Sequence, residues 1–288
     1  MTITKPRKPK ECENKPGRYD SRNQLNDLTG KEWLLLTKSV WETEPSALDR
    51  SAYCHPAPFL INDITKLISM FTKRGMTVLD PFVGCGSSLL AANSISRNSI
   101  GIDININYYQ MYRDRIATID ITTDTTYIVG DSYYEIDGIG FVDYIVTSPP
   151  YHNILRNSTK GIRNVNGKAF RMGARTGIQY YSDLPNDLGN FQHYDDFLGA
   201  FQSIMRKAFA HLHPGKYATI IISDFTVNKI ETNVQSDIVN IMSMIGFQFV
   251  GTTILFQPVK PLYPFGYPYA YKINHQHQNL ISFRKSQD

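Results

Sequence analysis

From residue 76 onward, short apolar runs alternate with segments of helical periodicity, and that alternation leaves few folds open. Met76-Thr77-Val78-Leu79 starts a buried strand, 87–96 reads as a helix, 99–103 as a strand, 107–117 as a helix, and 126–130 and 142–147 as strands. A helix over 195–211 precedes a strand at 217–223, a helix over 234–245 precedes a strand at 247–256, and a last strand spans 279–284. Strands that alternate with helices pair in parallel, because each crossover helix must return the chain to the same edge. The pattern predicts an α/β fold with a doubly wound, mostly parallel sheet. Upstream, Phe59, Leu60, Ile64, Leu67, Ile68 and Phe71 fall at helical spacing, and Gly75 ends that helix. Thr29-Gly30-Lys31-Glu32 has the spacing of a capping box, which predicts a short helix carrying Trp33, Leu36 and Val40 on one side.

With 288 residues, 42% of them hydrophobic, the chain can build one large core. The expected organisation is a basic arm over 1–24 followed by one principal domain over 25–288. A formal charge of +4 permits a nucleic-acid partner only where the positive charge is concentrated. No apolar run approaches the length of a membrane helix, so no membrane partner is expected and a cytoplasmic location is the expectation. Cys12, Cys54 and Cys85 lie far apart without a Cys-x-x-Cys pair, which supports neither a disulfide framework nor a metal site. Two stretches, 152–193 and 257–278, fit the alternation poorly. Loops of that length in a compact domain usually serve a function, so both are candidates for substrate contact.

Asp80-Pro81-Phe82-Val83-Gly84-Cys85-Gly86-Ser87 sits where the first strand turns into its helix. Ligands of such sheets bind at the carboxyl ends of the strands, and glycines there let the backbone approach closely. The dinucleotide fingerprint needs a third small residue where this chain has Leu89, which argues against that ligand. Asp103 ends the next strand, about 20 residues on, where an acid can accept hydrogen bonds from ribose hydroxyls. Asp131 ends the third and could take an adenine amino group. Singly each acid could be a solvated loop residue, but three at successive strand ends favour a nucleoside site.

The strand Val142-Asp143-Tyr144-Ile145-Val146 runs into Thr147-Ser148-Pro149-Pro150-Tyr151, where two prolines hold a rigid extended turn. This turn after a fourth strand, with Asp-Pro-Phe-x-Gly-x-Gly after a first, closely resembles motifs IV and I of the amino-methylating DNA methyltransferases. His55-Pro56-Ala57-Pro58-Phe59 looks like that family's motif X, His211-Leu212-His213-Pro214-Gly215-Lys216 resembles the turn before its fifth strand, and His277 to Lys285 resembles its final strand. Cys85 stands where Ser is frequent and Gln278 where Glu is frequent; the motif order X, I, IV resembles the subclass with motif I upstream.

The resemblance implies S-adenosylmethionine as cofactor, double-stranded DNA as substrate, and a cognate restriction endonuclease as a further partner. By resemblance, His55, Pro56, Asp80, Phe82, Gly84, Gly86, Asp103 and Asp131 bind the cofactor. The catalytic group is then Ser148, Pro149, Pro150 and Tyr151: the Ser148 hydroxyl and Pro149 carbonyl take the two amino hydrogens, and Tyr151 stacks on the extruded base. A target nitrogen inside a duplex is out of reach, so the base must flip out. The Ser-Pro-Pro-Tyr form is associated chiefly with cytosine N4. Adenine N6 stays open, because both bases set an amino donor beside a ring-nitrogen acceptor. RNA or protein amide methyltransferases share the cofactor half but usually carry Asn or Asp before Pro-Pro-Tyr, and a non-enzymatic DNA-binding protein would be expected to have lost the glycines or the tyrosine. Between 152 and 182 the chain has Arg156, Lys160, Arg163, Lys168, Arg171 and Arg175 and no acid, with glycines expected to interrupt helix or strand; the expectation is a mobile DNA-contacting segment.

Overall fold

In the computed structural model, residues 17–53, 55–152 and 181–287 are described, together with two short strands inside 162–171. The strands, in chain order, are β1 (Val40–Glu42), β2 (Thr77–Asp80), β3 (Asn98–Asp103), β4 (Thr125–Val129), β5 (Val142–Thr147), β6 (Ile162–Val165), β7 (Lys168–Arg171), β8 (Leu212–Ile222), β9 (Phe225–Val227), β10 (Ile230–Thr232), β11 (Phe247–Phe256) and β12 (His277–Lys285). The helices are α1 (Gly30–Leu36), α2 (Ile61–Phe71), α3 (Ser87–Ser94), α4 (Ile106–Ile116), α5 (Ser132–Glu135), α6 (Tyr194–His211) and α7 (Val234–Ile245).

Eight strands form one sheet in the order β1-β11-β12-β8-β5-β2-β3-β4. Only β12 runs against its neighbours; every other pairing in that sheet is parallel. The fold is therefore the expected α/β Rossmann-like sheet. The reversal of β12 also matters for function, because it brings the start of β12 to the same edge as the ends of the parallel strands. Asp80, Asp103, Thr147, Ile222 and His277 all reach that edge.

Side chains alternate between the two faces, as a strand's two-residue period requires. On one face Leu79, Ile145, Ile220 and Ile281 join Phe197, Phe201 and Met205 of α6 and Ile238 of α7. On the other, Val78, Tyr144, Val146 and Ile221 pack against Ile64, Leu67 and Ile68 of α2 and Leu89 of α3. Each such fully buried side chain contributes about 1.5 to 3 kcal/mol of transfer free energy. No helix among the described residues is long and apolar enough to cross a membrane.

Most expected boundaries agree to within a residue or two; β8 begins at Leu212, five residues before its expected start and through the expected turn at 211–216, and three further regions differ. The capping box at Thr29 forms, with the Thr29 side chain accepting from Glu32 N and the Glu32 carboxylate accepting from Thr29 N. Val40, however, leaves the helix and enters β1. The cause is its neighbour: Trp41 is buried on α2, its Nε1 donates to Leu36 O at 3.1 Å, and the free backbone beside β11 is satisfied by pairing with residues 40–42. In the segment expected to lack regular structure, β6 and β7 pair as an antiparallel hairpin, so the glycines flank strands there and do not exclude them. A second hairpin, β9 with β10, turns through Asn228 and Lys229 at φ 48° and 69°. Two consecutive left-handed residues give the hairpin turn whose twist matches its strands, here without the usual glycine.

Three polar side chains cross the sheet interior: Tyr144 Oη donates to Thr219 Oγ1 at 2.7 Å, and Thr219 lies 3.1 Å from Ser282 Oγ. They lie on β5, β8 and β12 and fix the lateral alignment of these three neighbouring strands. Replacing Thr219 by Val is expected to cost about 1 to 3 kcal/mol in urea unfolding, because the Tyr144 hydroxyl loses its partner while buried. Adding Tyr144→Phe should recover part of that loss. Additive losses in the double variant would show that the hydroxyls are not coupled.

Candidate active site at the carboxyl edge of the sheet

The loop from Asp80 to Ser87 is shaped by two residues that only glycine can supply. Gly84 and Gly86 have φ of +51° and +81°, and a Cβ on them would come within 2.9 Å of His55 Nε2 and 2.3 Å of Tyr112 Cδ2. His55 thus packs directly on Gly84, with its ring 4.3 Å from that of Tyr108. Its Nδ1 accepts from Ala57 N at 3.2 Å. Burial, aided by the nearby Arg115 charge, pushes its pKa down to about 4, so the ring is neutral at pH 7.

Asp80, at the end of β2, has an almost fully buried carboxylate held by three neutral donors: Thr147 Oγ1 at 2.6 Å, Ser88 Oγ at 2.5 Å and Phe82 N at 3.1 Å. Burial pushes its pKa up to about 6, against those hydrogen bonds. Its oxygens are occupied by protein donors, so Asp80 shapes the site by joining the glycine loop to the residue before Ser148. Phe82 is half-buried against the core and Pro56 is half-buried beside His55.

Asp103 accepts from Gly84 N at 2.9 Å and Asn105 N at 2.8 Å, and so ties β3 to the loop. The residue is half-buried, yet burial around its carboxylate pushes the pKa up to about 7, with the Asp187 and Asp80 charges adding to the shift. Asp131 caps α5 by accepting from Tyr133 N at 2.9 Å, and its second oxygen accepts from Asn186 Nδ2 at 2.6 Å. The oxygen expected to meet an adenine amino group is therefore bound by a carboxamide amino group of similar chemistry.

Ser148 is half-buried, and its side chain makes no hydrogen bond to a described residue; Pro149 is buried and Pro150 half-buried. Tyr151 is held firmly. Its hydroxyl oxygen accepts from Ser223 N at 3.0 Å and Gln278 Nε2 at 3.2 Å, and its ring stacks on Phe225 at 5.5 Å. Of the basic residues expected to contact DNA, Arg156, Lys160 and Arg175 lie outside the described residues. Arg163 falls on β6, and Lys168 and Arg171 fall on β7.

Several residues that shape the site were not foreseen. Arg115, buried on α4, donates through Nη1 to Cys85 O at 2.7 Å and Ser87 Oγ at 3.0 Å and props up the glycine loop. The signal was present: 108, 112 and 115 lie on one face of α4, and a basic residue there needs a buried partner. Tyr127 Oη donates to Gly84 O at 2.7 Å, and Ser132 Oγ donates to Pro81 O. Residues 181–190 form a strap held against this edge: Asn105 Nδ2 donates to Tyr181 O at 2.6 Å, and the Tyr181 ring lies 6.4 Å from that of His55. Burial pushes the Tyr181 phenol up, and the Tyr151 backbone N–H beside it draws it partly back. No sequence period marks such a strap.

Residues 2–114 match a family model for N6/N4 methyltransferases, described as DNA methylase. Over this stretch the chain is similar to the amino-methylating DNA methyltransferases. It is 36% identical over 98 residues to the Type II methyltransferase M.BglI of Bacillus subtilis, covering 34% of this chain and 27% of that protein. It is 33% identical over 99 residues to the Type II methyltransferase M2.DpnII of Streptococcus pneumoniae, covering 34% of this chain and 35% of that one. The matched stretch thus spans about a third or less of these curated relatives. Among solved structures, TrmN from Thermus thermophilus superposes with a TM-score of 0.51 at 14% identity, over 84% of this chain and 54% of that one, which bears on the fold alone.

S-adenosylmethionine is the cofactor of the amino-methylating DNA methyltransferases, and the donor set at this edge fits it. Asp103 keeps lone pairs beyond the two backbone hydrogen bonds it accepts beside the glycine loop, and neutral His55 does not repel a cation. Ribose hydroxyls would donate to an ionised Asp103, so binding should favour the charged carboxylate. With a pKa near 7 in the free protein, affinity for the cofactor is expected to rise about tenfold between pH 6 and pH 8. Asp103→Asn should bind more weakly and without that pH dependence in calorimetry. The same raised pKa makes the unliganded fold lose stability as pH climbs from about 4 through about 7. An affinity in the unaltered protein that ignores pH over this range would remove Asp103 from ribose binding.

Proposed function

We propose that the chain is an S-adenosylmethionine-dependent DNA methyltransferase that modifies the exocyclic N4 amino group of a flipped-out cytosine. The observation that carries this reading is the Asp80–Thr147 hydrogen bond. It sets Ser148-Pro149-Pro150-Tyr151 beside the Gly84/Gly86/Asp103 loop, so an acceptor turn and a nucleoside pocket share one edge.

When bound, the cofactor supplies an activated methyl group. The protein's task is then to orient a weakly nucleophilic amine and to support the positive charge that grows on it. Ser148 Oγ, without a protein hydrogen bond among the described residues, accepts one amino hydrogen, and the Pro149 carbonyl accepts the other. Together they turn the nitrogen lone pair toward the methyl until the surplus proton leaves to solvent. Tyr151, braced by Ser223 N, Gln278 and Phe225, presents a ring whose position is fixed before substrate arrives. Such bracing matters because stacking stabilises an extruded base only where the ring does not move to meet it. Asp103 and Asp131 hold the ribose and adenine of the cofactor, the latter after Asn186 gives way. Cytosine is preferred to adenine on the Ser-Pro-Pro-Tyr form. The basic stretch from Arg156 to Arg175 meets the phosphates of double-stranded DNA, and a cognate endonuclease acting at the same site belongs to this proposal.

Methyl transfer from labelled cofactor to DNA of mixed sequence, followed by mass spectrometry of the digested nucleosides, tests the reading. N4-methylcytosine is the expected product. N6-methyladenine alone would overturn the base assignment, and label found only in RNA would overturn the substrate class. Ser148→Ala should lower turnover on the order of 10²-fold while leaving cofactor affinity within about twofold.

A further inference from the structure

The loop joining β11 to β12, residues 257–276, places an unusual amount of aromatic surface in solvent. Tyr267, Tyr269 and Tyr271 are 80%, 95% and 90% exposed, and none of their side chains makes a hydrogen bond or ring contact with a described residue. Large aromatic rings left this open on a folded chain mark an interaction surface more often than chance.

The loop is built, not slack. Asn274 clamps the Tyr263 backbone from both sides, donating to its carbonyl at 2.8 Å and accepting its N–H at 2.9 Å. The N–H groups of Tyr269 and Ala270 both close on Gly266 O at 2.7 Å, and Gln257 N donates to Gln276 O at the base. Gly266 is required there, since a Cβ would lie 2.2 Å from Ala270 O and its φ is +76°. The loop also stands at the catalytic turn: Gln278, just past its end, donates to the Tyr151 hydroxyl, and Gln257 at its start donates to Gln278 at 3.3 Å. Residues 257–278 contain Lys260 and Lys272 and no Asp or Glu, and His275 is paired with Glu231 at 2.6 Å, so the two lysines carry the charge a polyanion would meet.

We propose that this loop is a base-stacking platform for DNA, with the rings of Tyr267, Tyr269 and Tyr271 engaging nucleobases left unpaired beside the methylation site. The proposal rests on the DNA methyltransferase reading. Every nucleobase offers a π-face, so stacked tyrosines bind unpaired DNA with little regard to sequence, and a flipped nucleotide leaves an orphaned, unpaired partner base.

The chain is titrated against fluorescein-labelled oligo(dT)20 and a mixed-sequence 30-base-pair duplex, with anisotropy as the readout. The triple change Tyr267→Ala, Tyr269→Ala, Tyr271→Ala is expected to weaken oligo(dT) binding by roughly tenfold or more. Leucine at the three positions should do the same, and phenylalanine should restore binding to within about threefold, which separates stacking from general apolar contact and from the hydroxyls. The slope of affinity against salt should stay unchanged, because no cationic side chain is lost. Unaltered affinity for both DNAs in the alanine variant would overturn the platform while leaving the methyltransferase reading intact. A change confined to sedimentation would overturn it in favour of a protein interface, and a wild-type chain that binds neither DNA would overturn both readings.

Discussion

Asp80 places a carboxylate in the interior with hydroxyl and amide donors around it and no cation hydrogen-bonded to it among the described residues. Burial alone would favour the neutral acid, and the pKa near 6 records the competition between that cost and three donated hydrogen bonds. Those bonds come from three different places: the start of α3, the turn after β2, and the end of β5. Removing the carboxylate would release the glycine loop from the Ser-Pro-Pro-Tyr turn, and their shared edge would lose its registration. Ser148 is attached to this joint through Thr147, and Gly84 is tied separately to β3 through Asp103.

Around that joint the loop is defined by crowding as much as by bonding. His55 and Tyr112 approach the backbone so closely that Gly84 and Gly86 leave no space for a side chain, while Arg115 and Tyr127 hold the carbonyls of Cys85 and Gly84 from behind. The result is a loop whose N–H groups and open edge are set before any ligand arrives, which lowers the ordering cost of binding. The strap at residues 181–190 works in the opposite sense. Asn186 occupies an Asp131 oxygen and Tyr181 lies beside His55, so these polar groups are satisfied within the chain.

How much of this could be read without coordinates depends on the range over which each feature is encoded. The parallel sheet was legible because strand and helix periods are local: β5, α7 and β11 fall on the predicted residues. The glycine loop and the Ser-Pro-Pro-Tyr turn were legible because their chemistry is written in consecutive residues. Val40 was misplaced because its fate is decided by Trp41 reaching α2 and by an edge of β11 more than 200 residues away. The β6–β7 hairpin was missed because glycines that break an isolated segment are also those that flank short paired strands.

The sequence by itself determined which residue types stand at the strand ends, and therefore that acids, glycines and a proline-stiffened acceptor turn would meet at one edge of a parallel sheet. The tertiary structure decided what each of them does there. Asp80, read as a cofactor ligand, accepts three hydrogen bonds from Thr147, Ser88 and Phe82, whereas Asp103 accepts two, from Gly84 N and Asn105 N. Tyr151 gains its fixed position from Ser223 and Gln278, 72 and 127 residues further along the chain. The reason is physical: hydrogen-bond partners and burial are set by which chain segments pack together, and no local period records that choice.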